Sequence, residues 1–163
     1  MNPATYKVLE RLLNGKWFGL AVDLGAGEGS YGPLFKKHAG YLIGVDRHLA
    51  RLSVAKKFSC YDQVIWADIR EYTPPSETEA VFMIDVIEHL SKPDGVKLLK
   101  RLSWAPFIVV TTPSRYHPYG LRNHHVSVWT REEFEKLNFK TSTFWTPLSF
   151  LEGDKILAVR DNS

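Results

Sequence analysis

Cysteine is nearly missing: Cys60 is the single one in 163 residues. A lone thiol excludes an internal disulfide and fits a reducing compartment. Just before an apolar segment, it reads as a small half-buried residue rather than a catalytic one. No run approaches the ~18 consecutive apolar residues of a membrane-spanning helix, and the first residues lack a signal-peptide core, so a cytoplasmic protein with no membrane partner is expected. Charge of one sign is scarce as well. Lys and Arg number 21 against 18 Asp and Glu, a net charge of +3. That balance permits an acidic partner but lacks the strong basicity of a dedicated nucleic-acid binder. Repeats, low-complexity tracts and domain linkers are also missing. With 44% hydrophobic residues, one globular domain over residues 1–163 is expected.

What the chain does have is alternation. Tyr6, Leu9, Leu12 and Leu13 form a helical stripe that Asn14-Gly15 closes. Apolar segments follow at 17–22, 41–46, 64–67, 80–85 and 107–112, each too short for a helix. They read as strands buried on both faces. Helical patterns lie among them: one around Leu34 and Phe35, with Gly40 placed to end it, one marked by Leu49, Leu52, Val54, Ala55 and Phe58, and one over 94–104. Residues 71–78, with Pro74-Pro75, read as loop, and Thr130-x-x-Glu133 is a capping box for a short helix. The closing strands, 140–145 and 155–160, have no helix between them. This order predicts an α/β sandwich of three layers. Its seven-stranded sheet is mostly parallel, and the last two strands form an antiparallel edge pair.

In such sheets ligands bind beyond the carboxyl ends of the strands. The first strand ends at Asp23 and the turn Gly25-Ala26-Gly27-Glu28-Gly29; the next three end at Asp46, Asp68 and Asp85. Glycines without Cβ let a ligand lie against bare amides. Aspartate also starts turns and caps helices. Four in phase behind a glycine turn favour a ligand with hydroxyls, an exocyclic amine and a positive charge.

The stretch from Val22 to Gly29 resembles the first motif of class I S-adenosylmethionine-dependent methyltransferases, an apolar strand followed by Asp/Glu-x-Gly-x-Gly-x-Gly. Ser30 stands where the dinucleotide fingerprint wants Gly or Ala. The resemblance extends from Trp17 to Arg160 and implies a Rossmann-like fold with S-adenosylmethionine as cofactor. It implies that Gly25 and Gly27 face the amino-acid end of the cofactor and that Asp46 accepts from the ribose hydroxyls. Arg47 lies against the adenosine, Asp68 accepts from the adenine amine, and Ile69 supplies contact beside it. Asp85 lies near the methionine moiety, and Asp23 supports the turn or the cofactor amino group. Asp85-Val86-Ile87-Glu88-His89-Leu90 looks like the fourth-strand segment of many small-molecule methyltransferases. Asn/Asp-Pro-Pro-Tyr/Phe, the pattern of base N-methylation, is absent there.

Residues 113–129 carry Arg115, Tyr116, His117, Tyr119, Arg122, His124, His125 and Trp129 and no acid. Such a loop suits an anionic or aromatic substrate; a small molecule of that kind is expected, or an RNA end if the resemblance to small-RNA methyltransferases given below holds. His89 and His125 are the candidate general bases for an attacking hydroxyl. The expected activity is methyl transfer to an oxygen of a small molecule or ribose. Rival functions are a catalytically silent cofactor-binding partner subunit and a nicotinamide-dependent oxidoreductase. No metal ligand is assigned, because Glu88 reads as a cap of the next helix. The alternative is that Asp85-x-x-Glu88-His89, joined to His125-x-x-x-Trp129-Thr130-Arg131-x-x-Phe134, resembles the small-RNA 3′-terminal 2′-O-methyltransferases. In that family acids and histidines so placed hold a divalent metal. Here Asp85 stands in place of the longer Glu.

Overall fold

Burial separates the central strands from the edges and so sets the order of the sheet. The computed structural model describes residues 1–58, 61–115, 125–149 and 153–162. One seven-stranded sheet runs in the order β3-β2-β1-β4-β5-β7-β6. These strands are β1 (Phe18–Leu24), β2 (Ala39–Asp46), β3 (Gln63–Trp66), β4 (Ala80–Ile84), β5 (Phe107–Pro113), β6 (Lys140–Phe144) and β7 (Lys155–Asp161). Every residue of β4 and β5 is buried, whereas β3 and β6, at the edges, are half open. β1 pairs in parallel with β2 and β4, and β2 with β3. β7 is antiparallel to both β5 and β6, so the last strand is interior and β6 takes the edge. Among the described residues no helix is long and apolar enough to cross a membrane.

The chain divides into two units, Met1–Phe82 and Met83–Ser163. In the first, α1 (Pro3–Leu13) is capped by Asn2, whose side chain accepts from Ala4 and Thr5 amides, and it buries Leu9 and Leu13. Next come α2 (Gly32–Lys36) and α3 (Leu49–Phe58), the latter turning Leu52 and Ala55 inward. Phe82 stacks on Phe35 at 4.0 Å between centroids and meets Phe18 edge-on at 6.3 Å. Each such pair contributes about 0.5–1.5 kcal/mol beyond its area. Gly40 does not end a helix, as expected from the sequence. It lies inside β2, where a Cβ would stand 3.1 Å from the Gly19 carbonyl oxygen, so close strand approach, not helix termination, requires glycine.

In the second unit a single 3-10 turn, Ile87–His89, leads to α4 (Lys92–Arg101). This helix starts before the expected residue 94 because Ser91 is its N-cap, accepting from the Asp94 amide, with Pro93 in the first turn. α5 (Arg131–Glu135) opens on the expected capping box of Thr130 and Glu133.

Candidate active site

In the first unit the sequence after β1 turns sharply on three left-handed glycines, Gly25 at φ 81°, Gly27 at 56° and Gly29 at 82°. Side chains rarely adopt this backbone, so glycine is required. The Gly25 and Ala26 amides both donate to the Val45 carbonyl, at 2.7 and 3.0 Å. The Gly27 amide donates to Asp46 Oδ2 at 2.9 Å. Asp46 therefore braces the turn, a role the sequence offered to Asp23. Its Oδ1 accepts from the His48 amide at 2.8 Å and lies 3.1 Å from that ring's Nδ1. A carboxylate offers about four lone-pair sites, so capacity for a ribose hydroxyl remains. A Cβ at Gly27 would meet nothing closer than the Gly25 oxygen at 4.0 Å, so the turn leaves open space on that side. The residues fit a cofactor lying against this turn.

Asp23 is buried, and the Tyr61 hydroxyl donates to its Oδ2. Burial pushes the Asp23 carboxyl up to about 7; the Tyr61 bond opposes the rise, and the negative charge of Asp46 adds to it. Tyr61 escaped the sequence reading. Its ring lies against Gly44, where a Cβ would stand 3.0 Å from it, so a glycine within β2 was the available signal. Asp68 is engaged by Arg70: Nη2 donates to Oδ2 at 2.6 Å, and Nε and the amide donate to Oδ1 at 3.0 and 2.9 Å. That bonding holds its carboxyl below the usual range. Arg47 is exposed, and its carbonyl accepts from Trp66 Nε1 at 2.9 Å; Ile69 is buried.

In the second unit Asp85 is left-handed, at φ 56°, uncommon outside glycine. Its amide donates to the Thr111 carbonyl at 3.0 Å, and Thr111 Oγ1 donates back to Asp85 Oδ1 at 2.9 Å. Lys155 Nζ lies 2.5 Å from Oδ2. Three residues on, Glu88 is 2% exposed, and its Oε2 has no hydrogen-bond partner among the described residues. Burial, then the Asp85 charge, pushes the Glu88 carboxyl up, with Lys155 partly opposing. Glu88 does not cap α4, as the sequence suggested; Ser91 does.

Two later amides reach this point. Val126 and Ser127 donate to the Glu88 carbonyl at 2.7 and 3.1 Å. That pairing brings His125 to His89, ring centroids 5.1 Å apart and nearly perpendicular. One ligand atom from each of Glu88, His89 and His125 lies within 4.8 Å of the others. The anchor for this segment is Trp129, which the sequence grouped with substrate contacts. It is fully buried, donates to Ser127 Oγ at 3.0 Å and stacks on Phe134 at 5.0 Å. It also fills the space that a side chain at Gly95 would need. Arg115 is exposed; Tyr116, His117, Tyr119, Arg122 and His124 lie outside the described residues, as does Cys60.

A family model described as Methyltransferase domain matches residues 22–103. No curated protein matches the sequence. Many solved structures share the fold, among them the following three. The N-methyltransferase NodS from Bradyrhizobium japonicum WM9, in complex with S-adenosyl-L-homocysteine, is 15% identical with a TM-score of 0.75, over 97% of this chain and 87% of that one. The small RNA methyltransferase HEN1 is 18% identical with a TM-score of 0.72 over 98% of this chain. The chain spans only 25% of that structure's length. The methyltransferase domain of bacterial CtHen1 is 20% identical with a TM-score of 0.64, over 95% and 94%. At these identities the structural likeness speaks for the fold, and the family model, which covers half of the sequence, speaks for descent. The chain belongs to the methyltransferase-domain family, with the class I fold and S-adenosylmethionine as methyl donor.

Proposed function

We propose that the chain transfers the methyl group of S-adenosylmethionine to a hydroxyl oxygen, with the ribose at an RNA end as the acceptor the site favours and a small hydroxylated molecule as the alternative. The observation that carries this is the cluster of Glu88, His89 and His125. One carboxylate and two imidazoles are a donor set for a divalent cation, and the buried Glu88 oxygen, without a hydrogen-bond partner among the described residues, fits the same role. Such a cation, when bound, lowers the pKa of a hydroxyl and makes a nucleophile without a strong base. The protein's own part is to hold the two histidines and Glu88 together through the Val126 and Ser127 amides. HEN1, one of the structures that share the fold, is a small RNA methyltransferase by name, which supports an RNA as acceptor.

On the cofactor side, the Gly25 and Gly27 turn receives the amino-acid end, and Asp46 offers its remaining lone pairs to the ribose. Arg47 and Ile69 flank the adenosine. Asp68 accepts from the adenine amine while Arg70 holds its carboxylate. Asp23 stays within the protein as the partner of Tyr61, and Asp85 is a methionine-side contact. Orientation of the bound groups supplies most of the rate.

The test is methylation of a short oligoribonucleotide with Mn²⁺ and S-adenosylmethionine, against the same oligomer ending in 2′-deoxyribose. Transfer is expected to the first alone. Glu88→Gln and His125→Ala should each lower the rate at least about 100-fold, beyond the loss usual for groups that only orient a ligand. Full activity in chelator would return His89 and His125 to service as general bases. No transfer to either oligomer would point to the small-molecule acceptor.

A further inference from the structure

Lys155 opens β7, paired in register with Pro113, and is 5% exposed. A buried ammonium needs a partner, and it has Asp85 Oδ2 at 2.5 Å. Thr111 Oγ1 occupies Asp85 Oδ1 at 2.9 Å. The left-handed backbone of Asp85 and its amide bond to Thr111 fix where this carboxylate starts. Both of its oxygens are therefore turned to protein donors. Asp85 lies only three residues before Glu88, yet it is not part of the cluster that Glu88, His89 and His125 form.

We infer that Lys155 is a positioning residue that withholds Asp85 from the cation site and so fixes the donor set at one carboxylate and two imidazoles. This rests on the cation reading proposed above. An ammonium beside a carboxylate competes with any cation for it, and an approaching divalent ion meets like charge. The donor set that remains is nitrogen-rich. It suits Mn²⁺, Fe²⁺, Co²⁺ or Zn²⁺, whereas a second carboxylate would move the site toward the oxygen-rich sets that suit Mg²⁺. Lys155 thereby sets which ion the centre accepts.

The experiment is titration of the full chain with Mn²⁺, followed by the paramagnetic resonance of the free ion, with Mg²⁺ as competitor and circular dichroism as a check on folding. The wild type is expected to prefer Mn²⁺. Lys155→Met should raise Mg²⁺ affinity about tenfold, the scale on which neighbours of a metal centre act, and narrow the preference. Lys155→Arg should keep it. Since the single Met change leaves a carboxylate unpaired and can unfold the chain, Lys155→Met/Asp85→Asn removes both charges together. It should bind Mn²⁺ with the wild-type preference, while Glu88→Gln does not bind it. If the double variant loses Mn²⁺ as completely as Glu88→Gln, Asp85 is itself a ligand and the assignment to Lys155 is wrong, though the cation site stands. A wild type that binds no Mn²⁺ overturns the cation reading, and this inference with it.

Discussion

The two units treat their acids differently. In Met1–Phe82 each strand-end carboxylate is already bonded within the protein: Asp23 by Tyr61, Asp46 by Gly27 and His48, Asp68 by Arg70. In Met83–Ser163 one carboxylate is bonded twice, Asp85, and its neighbour Glu88 keeps a buried oxygen without a hydrogen-bond partner among the described residues. A group with satisfied acceptors is held rigid, ready to meet a ligand with the lone pairs left over. A buried acceptor without a partner is costly and persists where something else supplies the missing charge or hydrogen. The first unit is built as a binding surface, and the second retains an unmet demand.

The largest effect should come from breaking the first side of this contrast. Asp46→Ala removes the brace of the glycine turn and the acceptor proposed for ribose. It should weaken S-adenosylhomocysteine binding by about 1–3 kcal/mol, as calorimetry would report. Mn²⁺ binding should not change; if it falls as well, Asp46 also supports the cation site.

A change that is smaller at each step of pH sharpens the same side. The folded chain keeps the Asp23 proton to about 7, against an ordinary value of 3.8. Raised folding affinity for a proton means that this group's stabilisation is complete below the lower value and is lost as pH rises through the upper one. Asp23→Asn keeps an acceptor for Tyr61 and cannot titrate. It should flatten the fall in stability over that window, by at most about 1.4 kcal/mol per pH unit, in urea denaturation. An unchanged slope would mean that Asp23 is ionised in the folded state.

The smallest test concerns the second unit's scaffold. Thr130→Ala removes the capping box of α5 and should cost about 1 kcal/mol in the same denaturation experiment. Mn²⁺ affinity should hold, because the segment bearing His125 keeps its own bonds, from the Val126 and Ser127 amides to the Glu88 carbonyl and from Trp129 to Ser127.

Much of the first unit was legible because its information is contiguous. A strand, an acid and a glycine turn follow one another, so Asp23, Asp46 and the glycines could be placed without tertiary knowledge. Tyr61 could not. It meets Asp23 across 38 residues, through space that Gly44 leaves empty, and nothing local marks it. Lys155 was equally hidden, since a lysine at the head of a strand looks solvated until β7 lies beside β5 and buries it. The sequence joined Glu88 to His125 by resemblance, and the backbone pairing at Glu88 shows the physical reason they meet. Trp129 misled because an aromatic residue at the end of a polar loop has the composition of a contact surface. The glycine in α4 that makes room for it is far away in the chain.

The bonds from the Val126 and Ser127 amides to the Glu88 carbonyl have a consequence for how such a site changes over generations. None of the groups that bring the two segments together, the main chain at 88, 126 and 127 and the buried Trp129 side chain, is a ligand side chain. Residues 88, 89 and 125 could be exchanged one at a time and the segments would still meet. A lineage can therefore lose a ligand, acquire a different one or abandon an ion altogether without first dismantling the architecture that makes a site there possible.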